Sequence, residues 1–294
     1  MPKALAQNYF SDTNYNITVR RVDDTNPGRD EHDLTEQKHS HDFSELVIVT
    51  EGHGIHWVEG DEFPVTAGDA FLFQGNQEHF FKKRDGLIIY NVMFRPEELN
   101  LPLNELRKLP GYHAIFVLEP NYRQKHQFES KLHLTRTDLA KVESMLSSMT
   151  DEISNKEPGF ESALYSKLID LIVYLSRQYS KMETGTRGKS LQRVTEVIGK
   201  LEQNYQRQWK LSELAKVAKM SEGNLMRIFK EATGQSPIDF LLHLRIQRAM
   251  EFLSSTDHQV TEIAYDVGFN DSNYFTRHFK KITGQTPRQY RQNN

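Results

Sequence analysis

The spacing of apolar residues changes near residue 137 of this chain. Before that point, short apolar or alternating stretches are separated by Gly, Asp and Asn, which is typical of strands joined by turns. The stretches are Glu45–Val49, Gly54–Val58, Ala70–Phe73 and Leu87–Phe94. Because no helical period lies between them, this part of the chain is predicted to form an antiparallel barrel or sandwich.

Beyond Thr137, apolar residues recur every three or four positions, which predicts helices. The first stripe consists of Leu139, Val142, Leu146, Met149 and Ile153, and the second of Leu164, Leu168, Leu171 and Leu175. Pro158 and Gly159 break the chain between them, so the two helices are predicted to form a hairpin. The stripes can pack on the strands or form the seam of a dimer, and the two uses are compatible.

The last third of the chain contains one segment twice. Leu211–Pro237 reappears as Val260–Pro287, and Arg227 of the first copy matches Arg277 of the second. Each copy predicts a helix, a short turn and a second helix that closes at a glycine, in "TGQSP" or "TGQTP". This is the helix-turn-helix pattern by which proteins place one helix in a DNA groove.

These patterns predict two domains with separate cores, as the length of 294 residues also favours. Residues 182–190 lack an apolar period and are rich in Gly, Thr and charge, so they are predicted to be a linker. They separate a sensor and dimerisation domain, residues 1–181, from a tandem helix-turn-helix domain, residues 191–294. In the second domain, Ile238–Leu253 is predicted to be a helix that connects the two copies.

Positive and negative residues are distributed unevenly between the carboxy-terminal part of the chain and the rest. Residues 187–294 carry 17 Lys and Arg against 11 Asp and Glu, whereas residues 1–186 carry 20 against 29. Positive charge favours contact with phosphates through counterion release, so the division suits a DNA-binding carboxy-terminal part. The chain has no cysteine and no apolar run long enough for a membrane span, so we expect a soluble cytoplasmic protein without a membrane partner.

The second helix of each copy is the predicted DNA-reading element, with its apolar residues facing inward. The predicted DNA-binding residues are Asn224, Met226 and Arg227 in the first copy and Ser272, Asn273, Thr276 and Arg277 in the second. Arginine can donate two hydrogen bonds to guanine and asparagine can pair with adenine, each worth roughly 1–3 kcal/mol of discrimination. Two other roles stay open for the matched arginines: an ion pair with an acidic neighbour, or contact with phosphate.

Three segments resemble the AraC/XylS-type bacterial transcription regulators. They are "LAKVAKMSEGNLMRIFKEATGQSP", "LRIQRAMEFL" and "EIAYDVGFNDSNYFTRHFKKITGQTP", and the likeness covers roughly residues 190–292. The resemblance implies two recognition helices that enter successive major grooves on one face of the duplex. The expected partners are double-stranded promoter DNA, RNA polymerase and a second copy of the chain. Gly223 departs from the large reading residue often found at its position.

A second group of polar residues lies in the predicted strands. "HSHDFSEL" places His39, His41 and Glu45 at alternate positions, and therefore on one face of a regular strand, and His79 completes the set. Three imidazoles and a carboxylate suit a divalent transition metal, but they equally suit contacts with a small molecule or structural hydrogen bonds. No cofactor is predicted, with a divalent metal as the alternative. Trp57 is the candidate for stacking on a sugar ring, or an ordinary core aromatic.

The region around these residues resembles the cupin pattern, with Gly52 and Gly68 at its glycine positions, although the second motif is imperfect. Residues 38–95 also resemble the sensor domains of the rhamnose-operon activators, which implies a monosaccharide effector such as L-rhamnose. The predicted fold class is α+β: an amino-terminal cupin-like β-barrel with a helical hairpin, then an all-α DNA-binding domain with two helix-turn-helix units.

The predicted function is a ligand-responsive, non-enzymatic transcription regulator, an activator of sugar-utilisation genes. One alternative is a metal-dependent cupin enzyme in which the histidines and Glu45 bind the catalytic ion. The other is a ligand-independent DNA-binding protein. The tandem repeat and the imperfect second cupin motif disfavour the enzyme.

Overall fold

The computed structural model describes residues 3–4, 9–10, 15–23, 38–74, 77–118, 131–182 and 186–293. The chain divides into two compact units, Met1–Lys189 and Ser190–Asn294. Of the predicted linker, residues 183–185 lie outside the described residues, and a helix begins at Thr186, inside the predicted linker range.

The first unit is rich in strands. They are β1 (Lys3–Ala4), β2 (Ile17–Val22), β3 (Ser40–His41), β4 (Ser44–Val58), β5 (Asp61–Thr66), β6 (Asp69–Gln74), β7 (His79–Phe94) and β8 (Leu132–His133). Six of them form an antiparallel sheet in the order β2-β7-β4-β6-β8, with β5 also paired to β4, and β1 and β3 form a separate parallel pair. The pairing of the described strands is an open path from β2 to β8.

Strand β4 gives the sheet a core on each face. Leu46 and Ile48 belong to a cluster that includes the helical hairpin, whereas Val47 and Val49 belong to a cluster on the opposite face. This alternation follows from the pleat of the strand. Register irregularities with β7 between Val49 and Ile55 then shift the alternation by one position. The shift decides which residues share a face with Glu45.

Short helical segments and a helical hairpin complete the first unit. They are α1 (Leu103–Leu106), α2 (Pro110–Tyr112), a π-helical turn (His113–Leu118), α3 (Arg136–Asn155) and α4 (Phe160–Tyr179). The hairpin is confirmed. The four leucines of the α4 stripe have no exposed surface because they pack in the core cluster that includes Leu46 and Ile48. A dimer seam on Leu168 and Leu171 is therefore wrong, and the homodimer stays a prediction without an assigned surface.

The second unit is helical. Its first helix, α5 (Thr186–Gln203), begins four residues before the unit boundary at Ser190. The other elements are α6 (Leu211–Val217), α7 (Glu222–Thr233), α8 (Pro237–Ser255), α9 (Val260–Asp266), α10 (Ser272–Thr283) and α11 (Pro287–Asn293). The pairs α6–α7 and α9–α10 have equal helix lengths of 7 and 12 residues. The predicted fold class, a β-rich unit followed by a helical one, is confirmed. Within the described residues, no helix combines the length and the apolar character that crossing a bilayer requires.

The two helix-turn-helix units close in the same way. Gly234 and Gly284 adopt left-handed φ angles of 79° and 80° directly after α7 and α10. The hydroxyls of Thr233 and Thr283 each donate to a phenylalanine carbonyl one turn earlier, at 2.8 Å. The glycine is required because L side chains rarely adopt this conformation. The repeat seen in the sequence is thus a structural repeat.

Candidate DNA interface and sensor site

Helix α7 presents the first set of predicted reading residues. The side chain of Ser221 caps the helix by accepting a hydrogen bond from the backbone N–H of Asn224. Asn224 and Arg227 are exposed and Met226 is half-buried. Arg227 donates from Nη1 to Glu231 Oε2 at 3.2 Å and from Nη2 to Asn224 Oδ1 at 3.1 Å. The ion pair with an acidic neighbour is therefore present, but on an exposed surface.

Helix α10 presents the second set. Asn273 and Arg277 are exposed, whereas Ser272 and Thr276 are half-buried. The hydroxyl of Thr276 donates to the carbonyl of Ser272 at 2.8 Å, so its hydrogen is committed inside the helix. Asp271 caps the helix by accepting from the backbone N–H of Tyr274 at 2.5 Å. Both reading helices thus start with a side-chain cap and an exposed first turn.

Tyr274 is a surface residue that sequence reasoning missed. Its side chain is 40% exposed on α10, and the guanidinium carbon of Arg277 lies 5.8 Å from its ring centroid. The internal repeat of the sequence does indicate Tyr274 as a candidate reading residue. When Arg277 is aligned with Arg227, Tyr274 falls on Asn224, one of the predicted readers.

Buried arginines of α8 tie the second unit together. Arg245 donates from Nε to the carbonyl of Tyr205 at 2.8 Å and from Nη2 to that of Arg207 at 2.9 Å. In the same loop, the Gln208 amide donates to the carbonyl of Gly268, which lies in the turn between α9 and α10. The loop after α5 therefore contacts both the connecting helix and the second helix-turn-helix turn.

His41, Glu45 and His79 meet in the strand-rich unit. The Nε2 atoms of His41 and His79 lie 3.1 and 3.2 Å from the same Glu45 Oε2 atom. All three side chains are buried. Their donor atoms lie within 4.8 Å of one another, which makes them a candidate metal site. Of the five predicted ligand-binding residues, the structure brings these three together.

His41, Glu45 and His79 form a cluster in which burial and the neighbouring groups shift the pKa values. Burial alone raises the pKa of Glu45, but the hydrogen bonds and positive charge of His41 and His79 outweigh it, and the pKa lies well below its usual value. Burial lowers the pKa of His79, against the effect of Glu45. The His41 ring stacks on Phe43 at 4.3 Å between centroids, and the His79 ring stacks on Phe73 at the same distance. Packing therefore fixes both imidazole planes.

His39 and Trp57 do not belong to this three-residue group. His39 exchanges two backbone hydrogen bonds with His79, and their ring centroids are 4.6 Å apart, but it supplies no donor atom to the group found in the described residues. Trp57 points to the opposite face of β4, where its ring contacts Phe80 and the Lys38 amino group. Because the β4 irregularities reverse the alternation, His56 and not Trp57 shares the face of Glu45. Stacking of Trp57 on a sugar ring stays a prediction.

His56 takes the interior position instead. It is fully buried, and its ring lies 4.3 Å from Phe81, 4.8 Å from Phe73 and 5.6 Å from His79. The sequence "GIHWV" gave no means of choosing between His56 and Trp57, since two adjacent residues of a strand always face opposite sides. The interior thus combines imidazole, carboxylate and phenyl groups.

Two family models match the chain. Residues 28–154 match the AraC-like ligand binding domain, and residues 214–293 match the helix-turn-helix domain. The histidine cluster lies in the first match and both reading helices lie in the second. Together the two models cover most of the chain.

The chain is similar to curated relatives named "HTH-type transcriptional activator RhaR". That of Mannheimia succiniciproducens is 26% identical over 253 residues, 86% of each chain. That of Yersinia pestis bv. Antiqua is 26% identical over 255 residues, 87% of this chain and 84% of the relative.

Among solved structures, the chain is similar to the C-terminal domain of the response regulator yesN from Fusobacterium nucleatum. The two are 38% identical with a TM-score of 0.31, and the match covers 32% of this chain and 93% of that domain. The chain belongs to the AraC-type family of DNA-binding transcription regulators, which are not enzymes.

Proposed function

We propose that this regulator activates sugar-utilisation genes by binding promoter DNA through α7 and α10 and a monosaccharide, such as L-rhamnose, in its strand-rich unit. The observation that carries the DNA interface is the exposure of Arg227 and Arg277 at matching positions of two helices with matching closures. The name of the curated relatives, transcriptional activator RhaR, supports activation. The resemblance of residues 38–95 to the sensor domains of rhamnose-operon activators supports the sugar. RNA polymerase and a second copy of the chain remain predicted partners.

The side chains in the first turns of α7 and α10 are suited to contacts with DNA bases. Arg227 holds Asn224 and Glu231 within its own helix, and on DNA it can exchange these partners for O6 and N7 of a guanine. The exchange costs little because an exposed ion pair contributes at most about 1 kcal/mol. On α10, Arg277 and Asn273 offer the same donors, and Tyr274 adds a ring that can contact a thymine methyl group or a sugar.

The side chains inside the strand-rich unit favour a polar, ring-shaped ligand. Sugar hydroxyls require hydrogen-bonding partners, which Glu45 and the cluster histidines supply, and the C–H faces of a sugar pack on aromatic rings such as Phe81. A sugar regulates DNA binding only if it binds one arrangement of the chain better than another.

Selection of duplexes from a random library by the full chain tests the DNA interface. We expect an enriched sequence with two half-sites about one helical turn apart, protected on one face of the duplex. A library that yields no sequence preference would contradict the proposal.

Calorimetry tests the effector separately. We expect the full chain to bind L-rhamnose and to bind D-glucose or L-fucose more weakly, and the bound sugar to alter the footprint on the selected DNA. If the chain selects a DNA sequence but binds none of these sugars, the effector assignment is wrong while the DNA interface stands.

A further inference from the structure

A recess of about 410 Å³ in the helical unit is lined by residues of α9, α11 and the loop before α9. The lining residues are Gln259, Val260, Thr261, Arg288, Arg291 and Gln292. Two of these side chains carry guanidinium groups, three carry an amide or a hydroxyl, and none carries a carboxylate. Because a guanidinium matches the geometry of a phosphate with two parallel N–H donors, this lining favours a phosphate group.

The two arginines of the recess differ from other arginines of the helical unit. Arg207, Arg227 and Arg248 each pair with a glutamate. Neither Arg288 nor Arg291 forms an ion pair with a carboxylate of the described residues. Both positive charges are therefore available to an anion.

The Arg291 side chain is held at the recess. Its Nη2 donates to the carbonyl of His258 at 2.7 Å, while its Nε is withdrawn from solvent and has no hydrogen-bond partner among the described residues. Helix α11 is in turn fixed to α10, because the ring of Tyr290 packs edge-on against that of Phe279, with 5.7 Å between centroids. An unpaired donor of a charged group is costly, and an anion in the recess supplies acceptors to this guanidinium.

The internal repeat shows that this helix position does not require a basic residue. Aligning "TGQTP" with "TGQSP" matches Arg288 to Ile238 and Arg291 to Leu241. Leu241 is buried within the unit, whereas Arg288 is exposed and Arg291 is half-buried. The second copy thus has two cations beside a recess where the first copy has two apolar side chains.

We propose that Arg288 and Arg291 bind a phosphate group of the DNA backbone beside the second half-site. In a helix-turn-helix unit the second helix lies in the major groove and the first helix crosses the backbone. The recess is built on α9, the first helix of the second unit, so a backbone phosphate can enter it while α10 lies in the groove. The inference rests on the proposed DNA binding and adds a contact that positions the protein without reading bases.

The salt dependence of DNA binding by the full chain tests the proposal. Each lost phosphate contact releases roughly one counterion fewer, so Arg288→Gln should reduce the slope of log affinity against log salt concentration by about 1. We expect equal weakening on the selected duplex and on an unrelated one, with the preferred bases unchanged. Fluorescence anisotropy titrations at several salt concentrations measure both duplexes.

Two further variants separate contact from charge and from folding. Lys200→Gln is the matched control, since it removes one positive charge from α5 and should leave the slope unchanged. Arg291→Gln is the second recess variant and should also reduce the slope by about 1. Because it loses the bond to His258 as well, its thermal unfolding is compared with that of Arg288→Gln, whose side chain is exposed.

Duplexes with a single uncharged methylphosphonate locate the contacted phosphate. At one position beside the second half-site, this substitution should weaken binding of the natural chain but cause little further loss in Arg288→Gln. Beside the first half-site it should weaken the natural chain and the variant by the same factor.

Three results would overturn the proposal. The first is an unchanged salt slope in both arginine variants, and the second is a methylphosphonate effect that stays the same in Arg288→Gln at every position. The third is calorimetry in which inorganic phosphate binds the natural chain but not Arg288→Gln while DNA affinity is equal, because the recess would then serve a free anion.

Failure of the recess and failure of the DNA interface are distinguishable. The salt slope can be measured on any duplex, whereas base preference is altered by Arg277→Ala and not by Arg288→Gln if both assignments are correct. A chain that binds no duplex would overturn both proposals.

Discussion

Arg227 and Arg277 occupy equivalent positions but have different neighbours. Arg227 is held by Glu231 and Asn224, whereas Arg277 lies over the ring of Tyr274. An aromatic partner leaves the donors of a guanidinium free to bond elsewhere, while an acidic partner competes for them. The two helices therefore expose different groups, as expected if each reads its own half-site.

Replacing either arginine tests this difference. We expect Arg227→Ala and Arg277→Ala each to weaken binding to the selected DNA by roughly 1–3 kcal/mol and to relax specificity in one half-site only. Quantitative footprinting measures both effects. Lys200→Ala is the control, since it removes one positive charge from α5, outside the reading helices. Unchanged footprints in both arginine variants would remove these residues from the interface.

His113 makes the strand-rich unit sensitive to acid. Its Nε2 donates to the carbonyl of Arg107 at 2.7 Å, and burial lowers its pKa from 6.5 to about 4. The folded state thus keeps His113 neutral at a pH where the unfolded chain protonates it. Its contribution to stability is complete above pH 6.5 and is lost as the pH falls through about 4.

The pKa of His113 is lower in the folded chain by about 2.5, so we expect this contribution to the free energy of unfolding to be about 3 kcal/mol. His113→Gln retains a donor for Arg107 but does not titrate, so it should flatten the loss of stability over this range. Urea unfolding measures it, with Trp57 as the fluorescent reporter in a Trp209→Phe background. An equally steep acid dependence in His113→Gln would assign the effect to other groups.

The turn inside each helix-turn-helix unit has one left-handed residue. It is Lys219, with a φ of 51°, in the first unit and Gly268, with a φ of 94°, in the second. At Gly268 an added Cβ atom would lie 2.6 Å from the carbonyl oxygen of Gln206. The second turn therefore needs glycine for its close contact with the loop after α5 as well as for its backbone angle.

Gly268→Ala should destabilise the helical unit more than Gly284→Ala does. Both positions are left-handed, which costs an alanine roughly 1–2 kcal/mol, but the space around Gly284 is open. The difference between the variants isolates the contact with Gln206. Trp209 fluorescence during urea unfolding, in a Trp57→Phe background, measures it. Equal midpoints would show that the loop yields to the added methyl group.

Helix α8 sets the separation of the two reading helices. It is 19 residues long and bonds the loop after α5 through Arg245, while Arg248 Nη2 lies 3.2 Å from Glu202 Oε2 in a buried ion pair. Buried pairs of this kind are costly to break by removing one partner. The two helix-turn-helix units should therefore bind DNA as one body rather than as two tethered modules.

DNA with altered half-site spacing tests this rigidity. Insertion of about five base pairs moves the second half-site to the opposite face of the duplex, since one turn takes about 10.5 base pairs. We expect affinity to fall to that of a single half-site, and to stay there when the insertion is about ten base pairs. Gel-shift titration measures this, and recovery with the longer insertion would indicate a flexible connection.

The helical part of this chain was predictable because its determinants are local. In α7, Leu225, Ile228 and Phe229 recur at helical spacing, Ser221 caps the start of the helix, and the glycine of "TGQSP" ends it. Each of these signals acts within a few residues of where it stands. The same signals appear again in the second copy, so one pattern predicted the arrangement of both units.

The strand-rich part was predictable as strands but not in its side-chain directions. His41, Glu45 and His79 meet as expected, because Glu45 lies before the irregular part of β4. His56 and Trp57 lie beyond it, and pairing with β7, distant in the chain, reversed their faces. The α4 stripe was equally ambiguous, since periodicity marks an apolar face but not what covers it.

The sequence alone thus determined the repeat, the helix ends, the division into a strand-rich and a helical part, and the exposed arginines of the reading helices. Only the tertiary structure decided that His56 replaces Trp57 in the interior, that Leu168 and Leu171 pack on the sheet, and that Gly268 contacts Gln206. The physical reason is the distance along the chain over which each interaction acts. Hydrogen bonding within a helix involves neighbours three or four residues apart, whereas strand register and packing depend on partners that the sequence does not place side by side.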